Sequence, residues 1–474
     1  VYLTLMNQTT EIDRAARTFD LLILGGGPAG VGAAYRAAGK GLSVGLLERS
    51  GRVGGAAGSF KVGGMRVDHG SHRLHPSTDP QILDELRSLL GADLQTRRRH
   101  GRIRIANRWI AFPLKATDLM TRLPLPLAAA AARDAATSPM RKKGGRDFAE
   151  VLLSGVGPAV AENLYFPYAK KLWGLDPGEI SAEQARRRVS ANSPGKLFRR
   201  ILSGKSGAGR TFYYPAGGFG QICERLAEAA RDAGAEIHLG TEVSRIAFSR
   251  NCVEVEDSSG NLRQAGLVFS TLPLSVLARI ADPPDGEAAE AAGRLEFRAM
   301  ILVYLVVDQD RYTEFDAHYI PGGPTPVTRI SEPKNYRNGP DPAGTTVLCA
   351  EIPCSRHDAI WDWQAGRLGD LVLEALSENE LPPVRPVEVL VKKIPFVYPV
   401  YRKGYESAFE ALDRWAGSLP ALLTFGRLGL FAHDNTHHAL SMAWSAVDAI
   451  SGGGIDLEYW AAARERFAGH VVED

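Results

Sequence analysis

The run Phe19-Asp20-Leu21-Leu22-Ile23-Leu24-Gly25-Gly26-Gly27-Pro28-Ala29-Gly30 decides the fold of this chain. An apolar stretch of strand length, Leu21 to Leu24, passes directly into Gly25-x-Gly27-x-x-Gly30. The pattern predicts a helix from about Val31 to Lys40, then a second strand from Leu42 to Leu47 that ends on Glu48. Strand, glycine turn, helix and strand in this order are what a dinucleotide-binding unit requires. Gly25 allows the sharp turn, Gly27 lets backbone approach a pyrophosphate, and Gly30 lets the helix pack close to the strand. The helix N-terminus then presents unpaired N–H groups and the positive end of its dipole to the phosphates. Glu48, 18 residues after Gly30, stands where an acid accepts hydrogen bonds from a ribose diol. A glycine triplet alone is weak evidence; flanked by both strands and the acid, it is specific.

Beyond Glu48 the chain continues Arg49-Ser50-Gly51-Arg52-Val53-Gly54-Gly55. This tail resembles the FAD signature of the amine oxidase and protoporphyrinogen oxidase superfamily. Gly54 and Gly55 would let backbone lie against the pyrophosphate and ribityl chain of a longer cofactor, whereas the plain alternative is a flexible glycine-rich loop. FAD is the expected cofactor.

Composition narrows the class. A chain of 474 residues exceeds one hydrophobic core, so two or three domains are expected. A net charge of +2 gives no reason to expect nucleic acid or an anionic membrane as partner. Cys223, Cys252, Cys349 and Cys354 form no zinc-like pair of pairs and read as reduced thiols of a cytoplasmic protein. No apolar run reaches the roughly 20 residues of a membrane helix; Leu125 to Ala132 is short and flanked by Arg122, Arg133 and Asp134. Residues 1–17 lack a signal-peptide apolar region and read as a disordered leader.

Farther along, Arg102 to Pro113 alternates as strand, turn and strand around Ala106-Asn107, inside an otherwise helical stretch. Gly204 to Gly209 reads as a linker, Gln221 to Ala233 as an amphipathic helix, and Glu236 to Leu239, Val243 to Phe248, Val253 to Asp257 and Leu267 to Ser270 as strands. Ala299 to Val307 and Thr345 to Ile352 suit an antiparallel sheet. A short strand, Leu422 to Phe425, precedes Gly426-Arg427-Leu428-Gly429 and a helix from about His438 to Ile450. The expected fold is α/β, with a discontinuous Rossmann-like FAD-binding domain built from residues 18–78, 210–280 and 395–455. A mostly helical substrate or lid domain at 79–203 and an antiparallel-sheet substrate domain at 281–394 are inserted into it.

Several segments in this order resemble UDP-galactopyranose mutase, a flavoenzyme on the same scaffold. His72-x-x-His75 resembles the mutase loop that lies against the flavin, and Pro167-Tyr168-Ala169-Lys170-Lys171-Leu172-Trp173-Gly174 the segment whose Tyr and Trp contact the nucleotide sugar. Arg187 falls where the following segment carries an arginine, and Val327 to Lys334 resembles the block whose arginine, here Arg329, reaches the substrate diphosphate. Tyr398-Pro399 resembles a substrate-contacting tyrosine segment, and Gly426 to Gly429 the closing FAD motif, whose Arg427 faces substrate and flavin. The resemblance also assigns Val243, Thr436 and His437 to the cofactor, beside Glu48, Arg49, Gly54, Gly55 and Gly426. Where mutases carry a diphosphate-binding tyrosine this chain has His433, and Asn435 and Thr436 replace an acid and a Met.

The resemblance implies chemistry run through N5 of a reduced FAD on a nucleotide sugar or similar phosphorylated polar substrate. Arg329 and Arg427 would hold the leaving diphosphate beside His72 and His75; Tyr168, Trp173, Arg187, Tyr398 and His433 would contact the substrate. The histidine spacing matches no familiar zinc pattern, and no metal is expected. The rival is an FAD oxidase or dehydrogenase of the amine oxidase and protoporphyrinogen oxidase type. A non-catalytic role like that of Rab escort and dissociation-inhibitor proteins fits less well, because those have lost the full FAD fingerprint that is intact here. Small molecules, with a homodimer left open, are the expected partners.

Overall fold

A computed structural model of the chain describes residues 17–114, 118, 121–141, 144–188, 211–249 and 252–472. The leader up to residue 16 and the linker Gly204 to Gly209 lie outside the described residues. Strand β1 is Arg17–Leu24, helix α1 Pro28–Gly39 and strand β2 Val44–Glu48. The helix starts earlier than the apolar pattern predicts, because Pro28, with its φ already set, occupies the first turn after Gly27.

The first sheet has eight strands. β1 lies between β2 and Leu262–Ser270, parallel to both, and Glu236–Leu239 extends the sheet beyond β2. Val243–Phe248 and Val253–Asp257 continue antiparallel from Leu262–Ser270, and Leu422–Thr424 pairs parallel with its far end. Strands from three distant stretches thus build one sheet, as the sequence predicts. Leu262–Ser270 begins earlier than its apolar half suggests, since Arg263 and Ala265 alternate against Val255 and Val253.

α1 packs between this sheet, the helix Gln221–Asp232 and the helix Thr436–Asp448. Small residues set the approach: a Cβ on Gly32 would stand 2.9 Å from the Trp444 ring. Arg36 fastens the same pair of helices with two N–H groups on Asp448, at 2.8 Å and 3.1 Å.

The second sheet has seven strands, in the order Pro386–Pro399, Phe297–Val307, Thr346–Cys354, Arg329–Ser331, Ala317–Tyr319, Gly101–Ile105 and Arg108–Phe112. The turn of the last hairpin is at Ala106-Asn107, both at positive φ, as the pattern predicts. The hairpin falls within the stretch read as helical, yet His318 and Tyr319 pair with Arg102 and Ile103, so this sheet crosses the expected boundary at residue 203. Leu94–Arg98 likewise pairs with Thr211–Pro215 across it. Helices Phe148–Gly155 and Phe166–Trp173 form a small apolar core of their own. Lys171 ties the second of them to the sheet, donating to the carbonyl oxygens of Ile320, Gly322 and Val327 at 3.0, 2.5 and 3.4 Å.

Candidate active site

The carboxyl ends of β1, β2, Leu262–Ser270 and Leu422–Thr424 open toward one place, where α/β sheets bind their ligands. Gly25 turns the chain at φ +101°, and a Cβ on Gly30 would strike the Gly25 carbonyl. Gly27 faces open space, with nothing within 4 Å of where its Cβ would be. The Gly26 N–H donates to Glu48 Oε2 at 2.7 Å, while Glu48 Oε1 accepts from the Ser50 N–H and hydroxyl, each at 2.8 Å. A carboxylate has about four acceptor positions, so these bonds orient Glu48 and leave room for a ribose hydroxyl. Gly54 donates to the Gly26 carbonyl at 2.7 Å and Gly55 lies against Gly27. Gly426, at φ +80°, closes the cradle on Ala29 at the start of α1. The Thr241 N–H bonds the Glu48 carbonyl at 2.9 Å, which brings the start of Val243–Phe248 to the Glu48 end, whereas the Arg49 side chain is exposed. Open room before Gly27, a helix N-terminus and an oriented acid fit the pyrophosphate and ribose of FAD.

The histidine segment hangs from the cofactor loop. His69 Nδ1 lies 3.1 Å from the Gly55 carbonyl oxygen, and His72 Nε2 lies 3.0 Å from that of His69. His72 stacks on Phe219, and burial lowers the pKa of both imidazoles, so they are neutral near pH 7. His75 turns inward instead: it is buried, with Nδ1 2.6 Å from the Ser77 hydroxyl.

Arg329 begins a short inner strand of the second sheet, paired with Tyr319 on one side and Glu351 on the other. Its Nε and Nη2 donate to the two oxygens of Glu351 at 3.0 Å and 2.7 Å, and Glu351 also accepts the Ser71 N–H at 2.8 Å. Burial works against this charge, but Glu351, Tyr319, Tyr168 and Tyr398 more than offset it and hold the guanidinium protonated well above its ordinary value. Tyr168 and Tyr398, far apart in sequence, are thus both near enough to Arg329 to act on its charge. Arg427 lies over the Tyr398 ring, 5.0 Å from its centroid, and His433 stacks on the same ring at 4.9 Å. Trp173 meets His433 edge to face, but it is only 4% exposed and also packs on Phe148. Five of the expected residues thus lie near one another, and Trp173 is a buried packing residue beside His433 instead of an exposed stacking platform.

Arg187 departs from expectation. It bonds Glu183 at 2.8 Å and stands 3.8 Å from Asp434, behind His433. Asp434 also accepts from His470 at 2.9 Å, and His470 stacks on His438, which neighbours His437 and, beyond it, His75. Asp434, His438 and His470 offer ligand atoms within 4.8 Å of one another, but the group is already internally bonded: the Asn435 N–H donates to His438 Nδ1 at 3.2 Å. That bond makes Asn435 the helix cap, which is why the closing helix begins at Thr436 and not at His438. Thr436 and His437 lie in its first turn.

Several residues of the site carry no motif. Glu351 is one, although a single acid in a fully buried strand was a signal for a paired charge. Arg73 is another: it bonds Asp316 at 3.0 Å and the hydroxyls of Tyr319 and Tyr336 at 3.1 Å and 3.2 Å, beside Arg329. Arg73 and its partners lie hundreds of residues apart, and Glu351 meets Arg329 only through strand pairing, so local patterns reveal neither.

Comparison with known proteins agrees with this fold. The family model for flavin-containing amine oxidoreductases matches residues 28–406. A Mycobacterium tuberculosis protein, AofH, with a provisional name as a flavin-containing monoamine oxidase, is 27% identical over 293 residues, 59% of this chain. The match spans 62% of the length of that curated relative. The crystal structure of a reduced UDP-galactopyranose mutase superposes with a TM-score of 0.80 at 21% identity, over 95% of this chain and 99% of the other. A protein of Exiguobacterium sp. 255-15 with a provisional name as protoporphyrinogen oxidase superposes with a TM-score of 0.70 at 18% identity, over 92% and 98%. At these identities the structural likeness is one of fold.

Proposed function

The chain belongs to the flavin-containing amine oxidoreductase family, and on that premise we propose that this FAD enzyme acts on a small phosphorylated molecule, a nucleotide sugar or a compound with a similar head group, by mutase-like chemistry on the reduced cofactor. The observation that carries this reading is that Tyr168 and Tyr398 both act on the Arg329 charge while Arg427 lies over the Tyr398 ring. When bound and reduced, FAD would supply a nucleophilic ring nitrogen to the substrate carbon. The protein's share is electrostatic. As the bond to a diphosphate breaks, negative charge collects on its oxygens, and guanidinium groups with forked donors stabilise it there. Tyr398, in contact with both Arg427 and His433, keeps Arg427 oriented, and the neutral imidazole of His72 leaves the positive charge to the arginines. No described helix is long and apolar enough to cross a membrane. The four thiols, unpaired in the structure, suit the reducing cytoplasm in which we place the reaction.

One observation favours the oxidase or dehydrogenase reading: Arg329 is already bound to Glu351 by two N–H groups of one guanidinium edge, which offsets the charge it would offer a diphosphate. Counting product per reducing equivalent separates the two. A mutase-like enzyme needs reduced flavin yet turns over many substrate molecules per reducing equivalent, whereas a strict one-to-one ratio establishes net redox chemistry and overturns the proposal.

A further inference from the structure

Beside the arginine and tyrosine cluster is a cavity of about 210 Å³, bounded by the hairpin 101–112, the helix Phe166–Trp173 and Tyr319. Ile103, Phe112, Phe148, Leu164, Tyr165 and Trp173 give it its character. Among the described residues that line it, none carries a charged, amide or imidazole group; the side-chain polar atoms are three tyrosine hydroxyls and the Trp173 indole N–H. Of those hydroxyls, that of Tyr319 already accepts a bond from Arg73 at 3.1 Å, and burial raises the pKa of Tyr165.

The cavity adjoins the charged site through shared residues. Tyr319 lines it and lies 5.5 Å from the Arg329 guanidinium, and Tyr168, which also bears on Arg329, lines it too. A ligand whose anionic group sits at the arginines has this apolar cavity next to it for its remainder. A nucleobase carries several donors and acceptors, and each one left unmet in a lining of this kind weakens binding. A hydrocarbon group asks for no such partners and gains from leaving water. A dry cavity of roughly 150 Å³ lined by aliphatic and aromatic side chains takes benzene, so this one has room for more than a six-membered ring.

We infer that the phosphorylated substrate bears a hydrocarbon group, which lies in this cavity while the phosphate reaches the arginines; the inference rests on the phosphate reading above. The test is calorimetric titration of the FAD-loaded protein with inorganic pyrophosphate, geranyl diphosphate and uridine diphosphate. Geranyl diphosphate is expected to bind at least tenfold tighter than pyrophosphate, and uridine diphosphate within about threefold of it. Ala169→Leu, which intrudes on the cavity, should remove most of the gain from the geranyl chain and leave pyrophosphate binding and flavin content as they were. The ligand comparison stands without that variant if it fails to fold. If pyrophosphate binds and geranyl diphosphate binds no tighter, or if uridine diphosphate gains as much, the hydrocarbon assignment is wrong and the phosphate reading survives. If neither phosphate nor diphosphate ester binds, the phosphate reading falls and takes this inference with it.

Discussion

Arg329 comes to the site with its charge already shared. Its side chain is 13% exposed and that of Glu351 is 4% exposed, so the pair is held in low dielectric with the Ser71 N–H as a further donor. Breaking such a pair from one side strands the other charge, which typically costs about 3–5 kcal/mol, whereas replacing both partners by apolar side chains of similar volume is often neutral. Arg329→Ala is accordingly expected to lower unfolding stability in urea by about 3–5 kcal/mol, with Arg329→Met combined with Glu351→Leu recovering most of it. A loss below about 1 kcal/mol, as for an exposed pair, would show that Arg329 is poised for ligand and not anchored. Motif reading found Arg329 but not this constraint. The block around it is contiguous in sequence, while Glu351 lies on the neighbouring strand, and register is set by tertiary pairing.

At the scale of the element, the glycine loop and α1 act as one device, and two of its glycines do different work. A side chain on Gly30 would run into the Gly25 carbonyl, so Gly30→Ala must push the helix off the strand and should cost both stability and FAD. Gly27 has φ −71°, which alanine adopts freely, and nothing within 4 Å of its Cβ position. Gly27→Ala is therefore expected to leave the apoprotein's melting temperature nearly unchanged while sharply weakening FAD binding, read by flavin fluorescence on titration. Equal loss of apoprotein stability in both variants would mean that the open space before Gly27 is not cofactor room. These elements were legible in the sequence because their signals are local: a glycine spacing, an apolar strand and an acid. The hairpin 101–112 was legible for the same reason, through Ala106 and Asn107. Its place in the second sheet was not, because its partner strand Ala317–Tyr319 is remote and too short to show a pattern. Trp173 shows the same limit, since a helix pattern fixes its face but not whether that face meets ligand or Phe148.

At the scale of the whole molecule, the closing FAD segment is tied to the end of the chain through histidines. His437 and His438 stand between His75 of the histidine segment and His470, which follows the helix Leu457–Ala468. Burial, reinforced by the neighbouring imidazoles, pushes His437 down to about 3 and His438 down to about 2. In the unfolded chain both titrate near 6.5, so between about pH 6.5 and 3 the unfolded state binds protons that the folded state refuses. Stability must then fall as pH is lowered through that window, by up to about 1.4 kcal/mol per pH unit for each histidine, and be unaffected by these groups above it. Because the cluster lies at the start of the helix that closes the cradle, acid unfolding and flavin release should share one midpoint. His437 offers the cleaner test, because its Nδ1 is buried without a hydrogen-bond partner, whereas His438 also caps the helix through Asn435. His437→Leu removes one titrating group at similar bulk and is expected to flatten the dependence of unfolding free energy on pH below 6.5 by up to about 1.4 kcal/mol per unit, with little change at pH 8. A variant whose acid slope equals that of the parent would show that His437 accepts its proton in the folded state, and that the cluster opens to water before the molecule unfolds.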